Sequence, residues 1–494
     1  MIRTRICFVL LLFTPLAVYW QTIFSDYGMR DDYSVLREAR EEPGKIVHFT
    51  ASAGRPLYGA LLETSFYGLD NVENLRWARL ASVLLLTLVG LVFWRQLYLS
   101  GWNEIEAAAV GIGLTLLPAA QVAVGWAISW PQVLALLLSL AGFSAIETEL
   151  ERGGLKRLVA LAGGCLIYGL AGLIYQSNAV FAVVPVAAVL LVRTGREPLL
   201  DLRWLGMHVG ALVVGLGLSY GMTRLLFDSG IFQASARMQL ETHPLGKLGW
   251  LLSQPLPNAL ALFVLRDDNN RGAVIFWLAA LVTAGVIGFA CRQEIRGGNL
   301  AVKRKWQICL GFVPWLAVVV SLVAAERAGG YRVFFALSGL VVLLFVYSLR
   351  RLLAAASVRP ALQYAALGLL GFIAAVAANR NAYLLIAEPQ GKEWETMQTA
   401  VLRAEATKPA KVFIVTPTAA DRSTARIYRD EFGSLSSDSD WVPQEMFKNA
   451  LHLRFPEKLP RDCDFTLVAG RLPPTGGGFN QVIDLRKFKD RPAP

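Results

Sequence analysis

Long apolar runs separated by short polar connections dominate the chain, and they recur at the length a membrane demands. A hydrocarbon core of roughly 30 Å takes about 20 apolar residues per helix. That length predicts spans over 5–24, 78–99, 105–125, 129–146, 157–174, 178–193, 204–225, 273–291, 307–325, 333–349 and 361–379, about eleven in all. The run 247–265 is also apolar. Pro255 and Pro257 interrupt it, however, and counting it would move the basic 292–306 segment to the other side, so it reads as a re-entrant or interfacial helix. Beyond Asn379 the pattern changes. An amphipathic "EWETMQTAVLRAEA" is followed by the strand-like runs "KVFIVTP", "DFTLVAG" and "QVIDLR" with turn-rich stretches between them. The expected architecture is a polytopic all-α membrane domain over 1–379 with a small α/β domain over 380–494.

Charge orients this plan. Lys and Arg close to a span tend to stay cytoplasmic, and Arg3, Arg5, Arg95, Arg152, Lys156, Arg157, Arg193, Arg196, Arg203, the 292–306 segment, Arg350, Arg351 and Arg359 all fall on one side. The alternate connections "GWAISWPQ" and "YQSN" carry neither Lys nor Arg. The N-terminus is therefore expected in the cytoplasm, as an uncleaved signal-anchor, because no small-x-small cleavage site precedes Ser25. Loops 25–77 and 226–272 and the C-terminal domain are expected outside.

Composition agrees: 55% of the 494 residues are hydrophobic and only 17% charged, too apolar for an ordinary soluble domain. The net charge of +11 resides mainly in the topology-setting loops, which argues against nucleic acid as a partner. The five cysteines have no metal-ligand spacing, and no P-loop or Rossmann glycine motif occurs.

Candidate chemistry gathers on the outer side. Asp31 and Asp32 follow the first span; like-charge repulsion and partial burial raise a carboxylate's pKa toward that of a general base, and paired carboxylates also suit a divalent cation. A plainer reading is that they start a helix, "DDYSVLREAREE", at its positive end. Arg55 sits in the turn "AGRPLYG", where the plainer reading is the start of the next helix. Glu326, Arg327 and Arg332 occupy the short loop "AAERAGGYRVFF", where positive-inside statistics disfavour arginine. Two arginines beside Gly329 and Gly330 could clamp a phosphate at the membrane surface, or simply form an ion pair with Glu326. Loop 226–272 adds Arg237, His243, Lys247, Arg266, Asp267, Asp268 and Arg271, with "RDDNNR" able to meet sugar hydroxyls or to form a solvated turn. Trp126, Trp130 and Trp250 read as an interfacial belt.

The order of these features resembles the GT-C superfamily of polyprenyl-phosphate-sugar glycosyltransferases: a first span, an outer loop opening with an acidic pair, a "GRPL" turn, about ten further spans and an outward C-terminal domain. "RDDYSVLREA" followed by "GRPLYGALL" is most similar to GtrII-type O-antigen glucosyl transferases, and the general plan resembles bacterial pilin arabinosyl transferases. The likeness is strongest over residues 1–150. It implies a multi-pass protein of a bacterial inner membrane that transfers sugar from a polyprenyl-phosphate donor to a periplasmic glycan, lipid or pilin. Asp31, or alternatively Asp32, would deprotonate the acceptor hydroxyl. Depth and charge then nominate Arg327 and Arg332, with Arg55, for the leaving phosphate; Tyr33, Glu326, Tyr331 and Arg266 are further candidates for substrate contact. Asp32 would hold Mg²⁺ or Mn²⁺ if the reaction used one.

Two other classes compete. A lipid-linked saccharide flippase or other transporter would need polar residues along a central path, and the span centres lack Asp, Glu, Lys and His relays, with His208 near an inner end. An assembly partner without chemistry would use 380–494 as a docking surface and would tolerate replacement of the aspartates.

Overall fold

The computed structural model describes residues 2–150, 154–192, 198–266, 273–407, 411–417, 431–456, 466–472 and 478–486. Among them eight helices are long and apolar enough to cross a membrane: Arg3–Phe24, Val72–Leu99, Ala127–Leu150, Gly154–Val192, Leu202–Asp228, Val274–Gly297, Tyr331–Ala355 and Pro360–Ala404. The chain is a polytopic helical membrane protein. Its lipid-facing rows stay apolar, as at Ile275, Leu278, Leu281 and Val282, because no water is there to reward polar groups.

Three departures from the expected count of about eleven have local causes. The segment 105–125 is a bent pair, Glu104–Leu116 and Pro118–Gly125, meeting at 49°, and raises the count to nine if taken as one span. Pro118 has no N–H and forces the preceding Leu117 out of helical geometry, to φ −54°, ψ 152°. The two spans expected over 157–174 and 178–193 count together as one run of 39 residues, but that run is two helices that break at Tyr175, between the expected spans. "YQSN" is the turn between them: before it Tyr168 packs at Gly142, and after it Asn178 reaches Gln132 and Ala182 reaches Ser139, so the chain reverses along the helix Trp130–Leu150. Tyr175 kinks the run at φ −156°, ψ 103°, and the polar side chains find protein partners: Gln176 donates to the Gly54 carbonyl at 2.6 Å, and Asn178 to that of Gln132 at 2.8 Å. Third, 307–325 breaks into Leu300–Gly311, Val313–Ala317 and Val319–Val323 beside Pro314, which removes a helix donor.

The run 247–265 is two short helices, Pro244–Ser253 and Pro255–Leu260, neither long enough to span. The helix Pro360–Ala382 continues through a π-turn, Tyr383–Ala387, into Glu388–Thr407, so the division expected at residue 379 lies inside a helical run. The amphipathic segment is helical as anticipated.

The three strand-like runs become β1 (Lys411–Val415), β2 (Thr466–Gly470) and β3 (Gln481–Asp484), ordered β2-β1-β3 and all parallel, with Lys411 opposite Thr466 and Val412 opposite Gln481. Central β1 is buried along Val412–Val415, as a strand covered on both faces must be. The helix Val442–Arg454 between β1 and β2 packs on Glu388–Thr407 and on Asp31–Glu41. One continuous core therefore joins Tyr27, Tyr33 and Leu36 of the first loop to Trp394, Phe432, Met446 and Phe447.

Candidate functional site around Asp31

Arg79 sets the path of the chain into the site. It is fully buried and donates to the carbonyls of Ile23, Ser25 and Tyr27 at 3.2, 2.6 and 2.9 Å, with its guanidinium 4.1 Å from the Tyr27 ring centre. The exit from the first helix is thereby held in one direction. Three residues after Tyr27, Arg30 adopts φ 48°, ψ −109°, a positive-φ conformation that strains a side-chain-bearing residue. Its amide N–H donates to Ser436 Oγ at 2.7 Å. The helix Asp31–Glu41 starts at the next residue, so both aspartates lie in its first turn.

Their environments differ sharply. Asp32 is fully buried, and its carboxylate accepts from the backbone N–H groups of Met29 at 2.9 Å, Ala127 at 3.3 Å and Ile128 at 3.0 Å. It ties the first loop to the 3-10 turn Ala127–Ser129. Burial pushes its pKa up to about 7 against the pull of those three donors and of Arg79. Asp31 is only half-buried, and among the described residues its carboxylate has no hydrogen bond or ion pair. Burial raises its pKa, while the charges of Arg332, Arg30 and Arg237, in that order, oppose the rise. Three cations thus face one unpaired carboxylate.

Arg332 lies flat on Trp126, its guanidinium carbon 4.0 Å from the ring centre, and its Nε is 3.7 Å from Glu431 Oε1. It makes no hydrogen bond with any described residue, and its side chain is 27% exposed, so its terminal nitrogens remain available to a ligand. Arg55 approaches from the turn after Gly54. It stacks 4.4 Å from the centre of the Tyr175 ring and donates to Gln176 Oε1 at 3.2 Å, with no carboxylate partner among the described residues. Between the two lies Tyr58, which donates to the Ile128 carbonyl at 2.9 Å. Burial raises the Tyr58 pKa, whereas Gln132, Arg332 and Arg55 draw it down. Asp31, Arg332 and Arg55 therefore converge through Tyr58 and Tyr175.

The other expected residues are distributed differently. Arg327 turns to Glu241, 3.7 Å away, which also lies 3.9 Å from buried Lys247. Lys247 donates to the carbonyls of Ala324 and Glu326, both at 2.7 Å, and burial lowers its pKa. This cluster ties loop 226–272 to the 324–330 loop, assisted by the antiparallel bridge Leu240–Ala324. Glu326 reaches Arg237 at 4.0 Å. Tyr33 is enclosed, its hydroxyl accepting from Gly28 N–H at 3.2 Å and its ring 5.7 Å from Trp394, so it packs the loop and does not present itself to a substrate. Tyr331 is buried too; its hydroxyl accepts from Arg266 N–H at 2.9 Å, and the Arg266 guanidinium donates to the Ser253 carbonyl at 2.7 Å. Asp267, Asp268 and Arg271 lie outside the described residues. Trp126 and Trp250 are buried and not part of a lipid-facing belt, and Trp130 donates to Ser65 Oγ at 3.2 Å.

A divalent cation does not fit here. Asp32 presents its oxygens to N–H donors and Asp31 is faced by arginines. Among the described residues no group of three or more His, Cys, Asp or Glu side chains could hold a metal ion.

Sequence reading missed Tyr58, Tyr175, Arg30, Arg79, Glu431 and Ser436, and took Trp126 for a belt residue. Arg79 and the polar "YQSN" left a trace, as polar groups in otherwise apolar helices; Glu431 and Ser436 left none. The chain matches no protein-family model and no curated protein.

Proposed function

We propose that the protein is a membrane glycosyltransferase moving a sugar from a polyprenyl-phosphate donor to an acceptor hydroxyl on the outer face of a bacterial inner membrane. One observation carries the reading: among the described residues the half-buried Asp31 carboxylate is unpaired and faces arginines of which Arg332 has no hydrogen bond, and Arg55 joins the same aromatic cluster. An acid that can take a proton beside cations that can take a phosphate is what glycosyl transfer from a lipid phosphate needs.

In this mechanism the acceptor oxygen attacks the anomeric carbon while Asp31 removes its proton. The bond from that carbon to the phosphate oxygen breaks, and its electron pair stays on the phosphate. Arg332 and Arg55 stabilise the charge that develops there. Asp32 is not the base, because its oxygens are committed to three backbone donors. Arg327, paired with Glu241, supports the loop and does not bind the leaving group.

The test is sugar transfer by membranes carrying Asp31→Asn or Arg332→Gln, with expression and folding checked. Loss of a general base lowers turnover by about 10²–10⁴-fold. Full transfer by well-folded Asp31→Asn would sink the mechanism. A wild-type protein that moves a lipid-linked saccharide across vesicles without transferring it would replace the transferase by a transporter.

A further inference from the structure

The segment Glu431–Ser437 touches both halves of this site. Glu431 is almost wholly buried; its Oε2 accepts from Tyr331 N–H at 2.9 Å while Oε1 lies 3.7 Å from Arg332 Nε. Gly330 makes room for it, since a Cβ there would stand 2.5 Å from Oε1. Five residues on, Ser436 Oγ donates to Gln390 at 2.6 Å, which turns a lone pair toward the strained Arg30 N–H immediately before Asp31. Gln390 also donates to the Ser434 carbonyl at 2.6 Å, and Glu393 accepts from the N–H groups of Ser436 and Ser437 at 3.0 and 3.1 Å. The segment is thus anchored on the helix Glu388–Thr407 and reaches outward with one carboxylate and one hydroxyl.

Resting on the transferase reading, we propose that Glu431 and Ser436 are positioning residues through which the C-terminal region sets the two halves of the site. Glu431 orients the Arg332 guanidinium on Trp126, leaving its terminal nitrogens for the donor phosphate. Ser436 holds Arg30 in its strained positive-φ conformation and so fixes where Asp31 points. The two contacts act on different steps, one on phosphate binding and one on proton removal.

The experiment uses the full chain in nanodiscs, with farnesyl phosphate as the binding probe and sugar transfer measured in parallel. Glu431→Gln retains an oxygen for Tyr331 N–H but removes the charge beside Arg332. It is expected to weaken farnesyl phosphate binding by about tenfold, with Glu431→Asp recovering most of the loss. Ser436→Ala is expected to leave that Kd within about twofold and to lower kcat by about tenfold, as misplacement of a reacting group does. Unchanged or tighter binding in folded Glu431→Gln overturns the proposal, tighter binding marking Glu431 as a competitor of the phosphate. Equal loss of Kd and kcat in both variants also overturns it, since that is general loosening. Wild-type protein that binds no farnesyl phosphate removes the transferase reading itself, and the proposal with it.

Discussion

The charges around Asp31 predict how the reaction responds to pH. A general base works only when ionised, so turnover should fall on the acid side with the pKa of Asp31. Burial has moved that pKa above the ordinary 3.8, and Arg332, Arg30 and Arg237 hold the rise down in that order. Arg332→Gln removes the largest opposing charge. The carboxylate becomes harder to ionise, and the acid limb should move to higher pH, by about 1 unit for a nearby arginine in a partly buried setting. Arg237→Gln should move it in the same direction by less, and Arg327→Gln, whose partner is Glu241, should leave it in place. The assay is transfer from a short-chain polyprenyl-phosphate sugar across pH 4–8, scored by the midpoint of the acid limb. The plateau falls separately in Arg332→Gln because the phosphate loses its partner, so the midpoint isolates the effect on Asp31. A limb that stays put or moves to lower pH in Arg332→Gln, or that moves further in Arg237→Gln, would refute the reasoning.

Three other outcomes test the scaffold. Asp32→Ala strands three buried N–H groups at about 1–3 kcal/mol each before relaxation. The folded pKa of Asp32, about 7, lies above its ordinary 3.8, so the wild-type contribution is fully present below about pH 4 and falls by about 1.4 kcal/mol per pH unit up to about 7. The Tm gap between wild type and Asp32→Ala should therefore narrow from pH 5 to pH 8, and a widening gap would show the opposite linkage. Arg79→Met removes all three bonds to the 23–27 segment, leaving carbonyls without their donor, and should lower stability by about 3 kcal/mol or more; an unchanged Tm would mean that the segment is held elsewhere. Gly330→Ala meets no backbone strain, since Gly330 has φ −62°, but its Cβ displaces the Glu431 carboxylate, so it should weaken farnesyl phosphate binding as Glu431→Gln does.

Much of the membrane plan was legible because its cause is local. A helix that crosses lipid must satisfy its own backbone, so its length and apolarity are written in consecutive residues. The prolines that bend or break 105–125, 247–265 and 307–325 are equally visible, although the resulting angle is not. The break at "YQSN" was legible as a polar stretch without Lys or Arg, but whether water or buried partners meet its polar groups was not, since both look the same in sequence. Gln176 and Asn178 find their partners on other parts of the chain. The equivalence of Asp31 and Asp32 was broken the same way: they are neighbours in sequence, but a helical turn aims one at the Ala127–Ser129 backbone and the other at arginines.

By itself, then, the sequence determined the polytopic helical character, the three strands near the C-terminus, the acidic pair after the first helix and the arginines that could meet a phosphate. Tertiary structure decided which aspartate is free, that Arg332 and Arg55 share a site while Arg327 joins Glu241, and that residues 431–437 complete the surroundings. The physical reason is range. Hydrophobic length and proline geometry act within a few residues, whereas pairing and burial of charge depend on segments hundreds of positions apart, as Arg30 and Ser436 are.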